Sequence, residues 1–170
     1  FVATPHTGPE TFDLRRENGC WGHFAEAAHN NRITLFTDCN DKQGDDDHLR
    51  HVGSTMLLHD FDGNGLADLL VGDIDSPHLI LLSNHGTPSE ARMTEQDTAF
   101  PSGAPVDLLS MPAPSLLTLP GAATPSLLVS PADPSLTKSQ DHNSVWRYDY
   151  DTLLQQFTLV QTDFLQGDML

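Results

Sequence analysis

Acidic and amide side chains recur at alternate positions in one short segment, Asp60-Phe61-Asp62-Gly63-Asn64-Gly65-Leu66-Ala67-Asp68. Calcium is a hard cation that takes about six to eight oxygen ligands, and alternate residues of a tight loop can turn their oxygens inward. Carboxylates and amides suit calcium better than zinc, which prefers His and Cys. The spacing therefore predicts a calcium site whose ligands are four side chains and one backbone carbonyl: Asp60, Asp62, Asn64, Leu66 (through its carbonyl) and Asp68.

The two glycines of this segment permit a backbone that most residues avoid. Gly63 and Gly65 allow the positive φ angles that such a loop requires. An EF-hand loop would need a bidentate Glu at its twelfth position, and counting from Asp60 that position is Val71. An EF-hand also leads into a helix, whereas this segment leads into an apolar run typical of a strand. A calcium loop between two strands is favoured over the alternative, a solvated turn.

Short apolar runs flank the loop and define the elements that must position it. Thr55–Phe61, Asp68–Asp73 and His78–Ser83 are separated by Gly, Asp and Asn. Strands of this length, bounded by turn residues, are typical of an antiparallel β meander. We assign residues 51–110 to one unit that contains the predicted calcium loop.

A weaker copy of the pattern follows. Leu127-Leu128-Val129 repeats Leu69-Leu70-Val71 58 positions later, and Ser144–Tyr148 and Gln156–Val160 supply later strands. A period near 60 residues with about four strands per unit favours β-propeller blades; two unrelated hairpins in a sandwich are the alternative. Residues 111–170 form the second unit.

The second unit lacks the predicted calcium ligands. At the same offset the five ligand positions contain no carboxylate, so we expect no calcium there. Two prolines, Pro120 and Pro125, reshape the turn. The residues at the five positions are Thr118, Pro120, Ala122, Thr124 and Ser126.

Residues 1–50 show the weakest pattern. Phe12–Leu14 and Arg32–Phe36 are candidate strands, Cys20–Ala28 is a short helix or a turn, and Gly44–His48 is a solvated loop. We interpret this part as an irregular N-terminal segment or an incomplete blade. The predicted fold is all-β: a partial β-propeller of about two to three four-stranded antiparallel blades after the irregular segment.

Charge excludes several classes of partner. The chain has 24 acidic and 8 basic residues, which gives a formal net charge of −16. This field repels nucleic-acid phosphates and anionic lipid. No apolar run approaches the roughly 20 residues of a membrane span. The chain begins at Phe1 without a signal peptide, and we interpret it as a piece of a longer protein.

The two cysteines, Cys20 and Cys39, leave three alternatives. They can form a disulfide, remain two buried free thiols, or supply half of a metal site, although no further Cys or His spacing completes a zinc set. Together with a calcium loop, a disulfide in an oxidising compartment is the preferred interpretation.

Catalytic motifs are weak throughout. His48 and His51 lie beside three aspartates but are better explained by a surface loop. Asp73 and Asp75 form a carboxylate pair that could serve glycoside chemistry, although a role of Asp73 in ordering a turn is favoured. Trp21 and Trp146 fit packing better than sugar stacking. We assign no catalytic residue.

The segment His59–Asp73 resembles the FG-GAP/VCBS-type repeat. That repeat forms blades of β-propellers, including the integrin-α type, with a calcium loop between the first two strands. Within this family the chain resembles one group of large secreted Bacteroidetes proteins more closely, on patterns that include Cys20-Trp21-Gly22, Gly53-Ser54-Thr55, Leu81-Leu82-Ser83-Asn84, Asn143-Ser144-Val145-Trp146 and Asp163–Met169. The resemblance implies export to the cell surface or the medium, often by type IX secretion.

The resemblance and the loop together predict a calcium-stabilised extracellular β-propeller fragment. It would act as a binding or adhesion module for an unknown protein or glycan, with further blades of the parent chain completing the ring. The rival interpretations are part of a secreted polysaccharide-active enzyme or its accessory domain, and a purely structural spacer. The protein is therefore more readily interpreted as a binding module than as an enzyme.

Overall fold

The computed structural model describes residues 19–27, 31–38, 53–132 and 143–165, together with the backbone of 2–5 and 12–15. Every regular element in these ranges is a β-strand, which confirms the all-β prediction. No helix able to cross a membrane occurs in the described part. In chain order the strands are β1 Val2–Pro5, β2 Phe12–Arg15, β3 Phe24–Glu26, β4 Ile33–Leu35, β5 Ser54–His59, β6 Asp68–Asp73, β7 Leu79–Asn84, β8 Met93–Phe100, β9 Pro112–Leu117, β10 Ser126–Pro131, β11 Trp146–Asp151 and β12 Gln156–Gln161.

The strands form two antiparallel sheets of four and two hairpins. The first sheet has the order β5-β6-β7-β8, and the second has the matching order β9-β10-β11-β12. The hairpins are β1-β2 and β3-β4. Each sheet therefore follows the chain as a simple meander, which needs only short turns between neighbouring strands.

The first two strands of the sheets are spaced identically. β9 and β10 each begin 58 positions after β5 and β6, so both connecting loops, 60–67 and 118–125, have eight residues. This is the offset that the sequence predicts. The last two strands keep the order but not the spacing, because a longer segment separates β10 from β11.

The main core lies between the two sheets. Leu70 and Leu79 of the first sheet pack in one cluster with Leu127, Val129 and Tyr148 of the second. Strand periodicity explains why these side chains, and not their sequence neighbours, enter this core, because alternate side chains of β6 and β10 point to opposite faces.

A second core covers the other face of the first sheet. Leu69, Val71 and Ile80 pack there against Phe24 and Ile33 of the hairpin β3-β4. All six residues of β6 are consequently buried. At the offset of 58, Leu69 and Val71 correspond to Leu127 and Val129, which enter the main core. Equivalent faces of the two sheets therefore pack in the same sense along the stack.

A glycine permits a close approach between the sheets. A Cβ atom on Gly72 would lie 1.8 Å from the carbonyl oxygen of Pro112. The hydroxyl of Thr55 donates a 2.6 Å hydrogen bond to the same oxygen. Only glycine leaves room for β9 at this point, so the first strands of the two sheets lie side by side.

Two features differ from the sequence interpretation. Cys20–Ala28 contains the strand β3, which pairs with β4, so the alternative of a short helix is wrong. The strand β8 was not predicted. Residues 1–50 contain two hairpins in the described part, whereas the predicted solvated loop Gly44–His48 lies outside the described residues.

Candidate metal centre

The predicted calcium loop joins β5 to β6. Their register pairs His59 with Asp68, so the loop 60–67 closes a hairpin and its two ends are held together. Gly63 and Gly65 adopt φ angles of 78° and 84°, which confirms the predicted use of both glycines. An eight-residue loop with two such positions turns sharply enough to bring alternate side chains to one side.

Three of the five predicted ligands converge. Oxygens of Asp60, Asp62 and Asp68 all lie within 4.8 Å of one another. Asp68 is fully buried, Asp60 half-buried and Asp62 exposed. Three carboxylates at this separation repel one another unless a cation lies among them. The all-oxygen donor set fits a hard divalent cation such as calcium, open to solvent on the Asp62 side.

Asp68 is the anchor of the group. Its two carboxylate oxygens accept hydrogen bonds of 2.7 Å from the backbone N–H groups of Phe61 and Asn84. Burial raises the pKa of this carboxyl above its ordinary value, although the two N–H donors act in the opposite direction. The charged form is thus held by hydrogen bonds but poorly solvated, and a bound cation would favour it.

The loop backbone orients the other two carboxylates. Asp60 accepts hydrogen bonds from the N–H groups of Gly63 and Gly65, at 2.8 and 2.9 Å. Asp62 accepts one from the N–H of Asn64 at 2.9 Å. These local bonds hold both side chains inside the turn. Each carboxylate has further lone pairs available for a metal ion.

The structure does not bring the remaining two predicted ligands to the group in the same way. The side-chain nitrogen of Asn64 lies 3.0 Å from Asp62 and 2.9 Å from the carbonyl oxygen of Asn84. The side-chain oxygen of Asn64 accepts a 2.7 Å bond from the N–H of Leu66. Leu66 thus contacts the loop through its N–H, and the predicted ligation by its carbonyl stays a prediction.

Sequence reasoning missed two residues beside the loop. Asn84, only 3% exposed, accepts hydrogen bonds from Gly86 and Arg92 and donates one to the carbonyl of Ala67. His85 places its Nε2 3.4 Å from Asp62. Asn84 therefore ties the loop to the next turn. The available signal was an Asn directly after an apolar strand, where side-chain bonds to the backbone are common.

In the second sheet the carboxylate beside the corresponding position has a basic partner within the chain. Ser126, at the position equivalent to Asp68, donates a 2.6 Å hydrogen bond to Asp149. The guanidinium of Arg147 donates to both oxygens of Asp149, at 2.9 and 2.5 Å. These donors, Arg147 first, lower the pKa of the Asp149 carboxyl below its ordinary value. The acid here has a partner within the chain.

The other residues considered for catalysis or sugar binding take part in turns and packing where the structure describes them. Asp73 accepts a 2.6 Å hydrogen bond from the N–H of Asp75, which confirms its predicted role in ordering a turn. Trp146 packs against the main core, and Trp21 is 43% exposed beside the hairpin β3-β4. The predicted surface histidines His48 and His51 lie outside the described residues.

No protein-family model, curated protein or solved structure matches this chain. The site is therefore interpreted from its own geometry and chemistry.

Proposed function

We propose that this chain is a calcium-stabilised part of an extracellular β-propeller of the FG-GAP/VCBS type, and that it acts as a binding or adhesion module for protein or glycan. The observation that carries the proposal is the convergence of Asp60, Asp62 and Asp68 in the loop between the first two strands of a four-stranded sheet. Calcium would hold this loop closed and leave the sheets as a rigid display surface.

The stabilising effect follows from the electrostatics of the loop. The close approach of three carboxylates costs free energy through repulsion and, for the buried Asp68, also through desolvation. A divalent ion offsets both terms because it attracts all three charges at contact distance. Extracellular calcium modules bind with Kd values of about 10⁻⁴–10⁻³ M, which suits a medium with millimolar calcium.

The propeller is supported by how the two sheets follow one another. Each is a four-stranded meander, and their first strands, β5 and β9, lie side by side. Equivalent faces pack in the same sense, with the hairpin β3-β4 on one side of the first sheet and the second sheet on the other. Radial repetition of such sheets is the architecture of a propeller, and about four to eight blades close the ring. Further blades of the parent chain would complete it.

An oxidising location would suit the predicted pairing of Cys20 with Cys39, and the described part of the chain contains no free cysteine. The sulfur of Cys20 lies 3.5 Å from the carbonyl oxygen of Thr37, two positions before Cys39. Cys39 lies outside the described residues, so the disulfide stays a prediction. We place the protein at the cell surface or in the medium, as the resemblance to secreted Bacteroidetes proteins implies.

Thermal unfolding in the presence of calcium tests the metal site. We expect the melting temperature of the full chain to rise as calcium is added, and this rise to vanish in Asp62→Ala. Asp62 is exposed, so the variant should fold normally without calcium. The matched control, Asp107→Ala, removes an exposed carboxylate outside the loop and should keep the full response. A chain that melts at the same temperature with and without calcium would exclude the proposed stabilisation.

A further inference from the structure

A cleft of about 310 Å³ lies between the loop of the first sheet and the last hairpin of the second. Four aromatic rings line it and contact one another in edge-to-face geometry. The centroid of Phe61 lies 5.4 Å from Phe100 and 5.8 Å from Phe157, and Tyr150 lies 5.3 Å from Phe157. Phe100 and Phe157 are buried and form the floor, whereas Phe61 and Tyr150 are half-buried at the rim.

The polar groups of the cleft are two carboxylates and two uncharged amides. Asp62 and Asp97 contribute carboxylates, and Gln155 and Gln156 contribute amides. Neither Lys, Arg nor His lines this cleft within the described part of the chain. Asp97 accepts a 3.0 Å hydrogen bond from the N–H of Ala99 through one oxygen. The arrangement therefore combines ring surface with negative charge, and the basic group described beside it, His85, contacts Asp62 from outside the lining.

A second cleft of about 220 Å³ shares three of these rings, Phe61, Tyr150 and Phe157. Its lining includes Asp60, so carboxylates lie on both sides of the shared rings. The charge persists when calcium is bound. Three loop carboxylates and one divalent ion leave one negative charge, to which Asp97 adds another. The chain as a whole carries −16, which further attracts cations.

We propose that the larger cleft binds an organic cation of the alkylammonium class, such as the end of a lysine side chain. An ammonium group gains energy from the faces of aromatic rings, and more when it is partly desolvated. Asp62 and Asp97 would accept its hydrogen bonds, and the apolar stem would lie against Phe61 and Tyr150. A neutral sugar would use the rings but would gain nothing from the charge. Asp97 and Tyr150 lie outside the metal loop, so this part of the cleft keeps its charge and its ring when Asp62 ligates calcium.

Two small probes of similar size and different charge test this proposal. Butylammonium carries the charge, and butyramide is its neutral counterpart. We would titrate each into the ¹⁵N-labelled full chain in saturating calcium and follow the amide shifts. Butylammonium should shift the amides of Phe61, Asp97 and Tyr150 and bind at least about fivefold more tightly than butyramide. The same preference should persist without calcium.

Variants assign the effect to the cleft. Asp97→Asn retains an acceptor for the N–H of Ala99 while it removes the charge. It should weaken butylammonium binding by about fivefold and leave butyramide unchanged. Asp107→Asn, the control outside the cleft, should bind as the unmodified chain does. Tyr150→Leu removes one rim ring and should also weaken binding, with thermal melting used to verify that each variant is folded.

Three results would overturn the proposal. Equal affinity for butylammonium and butyramide would remove the role of charge. Shifts confined to amides outside the cleft would place the cation elsewhere. Binding of methyl glucoside at these amides, without binding of butylammonium, would identify a saccharide site instead. Butylammonium binding at the cleft in a chain whose melting temperature does not respond to calcium would overturn the calcium proposal and leave this one standing.

Discussion

The first hairpins of the two sheets share a loop length and one glycine turn, but only the first loop carries charge. Both loops have eight residues, and both place a glycine at the equivalent position, Gly63 with φ of 78° and Gly121 with φ of 82°. In the first hairpin a buried Asp68 ends the loop beside two further carboxylates, whereas in the second Ser126 takes its place. An eight-residue loop with a glycine at this position thus occurs both with and without carboxylates.

The two sheets also neutralise acids by different means. Asp149 has Arg147 within hydrogen-bond distance, and its pKa is lowered. Asp68 has only backbone N–H donors among its described hydrogen-bond partners, and burial raises its pKa. A chain that supplies its own cation needs none from solution. The first sheet, on our proposal, takes that cation from the medium.

Reciprocal exchange at the sheet contact should give the largest effect. Gly72→Ser introduces the residue that occupies the equivalent position of the second sheet, Ser130. At Gly72 the backbone of β9 leaves no room for a side chain. We expect a loss of about 3 kcal/mol or more in the free energy of unfolding, because the backbone of Pro112 would have to move. Urea denaturation measures it.

The reverse change, Ser130→Gly, serves as the control. Ser130 lies on the opposite face of the second sheet from the main core, so we expect a loss of only about 0.5–1 kcal/mol from backbone entropy. Similar losses in both variants would show that the close contact at Gly72 is not what distinguishes the sheets.

Exchange at the loop end should give the next largest effect. Asp68→Ser should abolish calcium stabilisation, which we expect to be about 1.5–3 kcal/mol in the unmodified chain at calcium well above Kd. The opposite exchange, Ser126→Asp, should not create calcium binding, because Pro120 and Ala122 offer no side-chain oxygen. Calorimetry with and without calcium tests both. A calcium response gained by Ser126→Asp would contradict the comparison.

The calcium-free chain should show a smaller, pH-dependent effect of Asp68. Its folded-state pKa is raised by burial, so folding favours the protonated form. The resulting stability is fully present below about pH 4, the unfolded pKa, and is lost as pH rises through the folded pKa. Asp68→Asn should remove this dependence in urea titrations at several pH values. An unchanged pH profile in the variant would assign the dependence to other groups.

The smallest expected effect lies in the second sheet. Arg147→Met should reduce stability by about 1 kcal/mol or less, because both partners of the ion pair are partly exposed. The stability contributed by Asp149 changes with pH in the direction opposite to that of Asp68. The lowered pKa of Asp149 contributes stability above about pH 4, lost as pH falls through its folded pKa. The difference between variant and unmodified chain should therefore shrink in acid, as measured by chemical denaturation.

Local pattern predicted the first hairpin well and the longer-range contacts poorly. The strand Asp68–Asp73 and the loop glycines were predictable because apolar runs and turn residues act within a few positions. β8 was missed because its centre, Thr94–Thr98, is polar and only its ends, Met93 and Phe100, are buried. An outer strand that packs at its ends has no period-two pattern to detect.

The convergence at the cleft could not be predicted from the sequence. Phe61 follows the end of β5, whereas Tyr150 and Phe157 lie in the last hairpin of the second sheet. Only the packing of one sheet on the other brings their rings together. The same holds for Asn84, whose bond to Asp68 joins residues on neighbouring strands. Residue types indicated which side chains could bind a ligand, but the order and packing of the sheets determined which of them lie together.

The shared sense of packing gives the stack a direction. The face of the second sheet that contains Leu127 and Val129 meets the first sheet, while its equivalent with Leu69 and Val71 meets the hairpin β3-β4. The contact between the two sheets therefore joins a front face to a back face, and it is not a two-fold pairing of like faces. On our propeller proposal, each further blade would repeat the same rotation until the ring closes. Met56 and Leu58, the strand partners of Val71 and Leu69, are 70% and 55% exposed and form the apolar part of this face that the hairpin β3-β4 leaves uncovered.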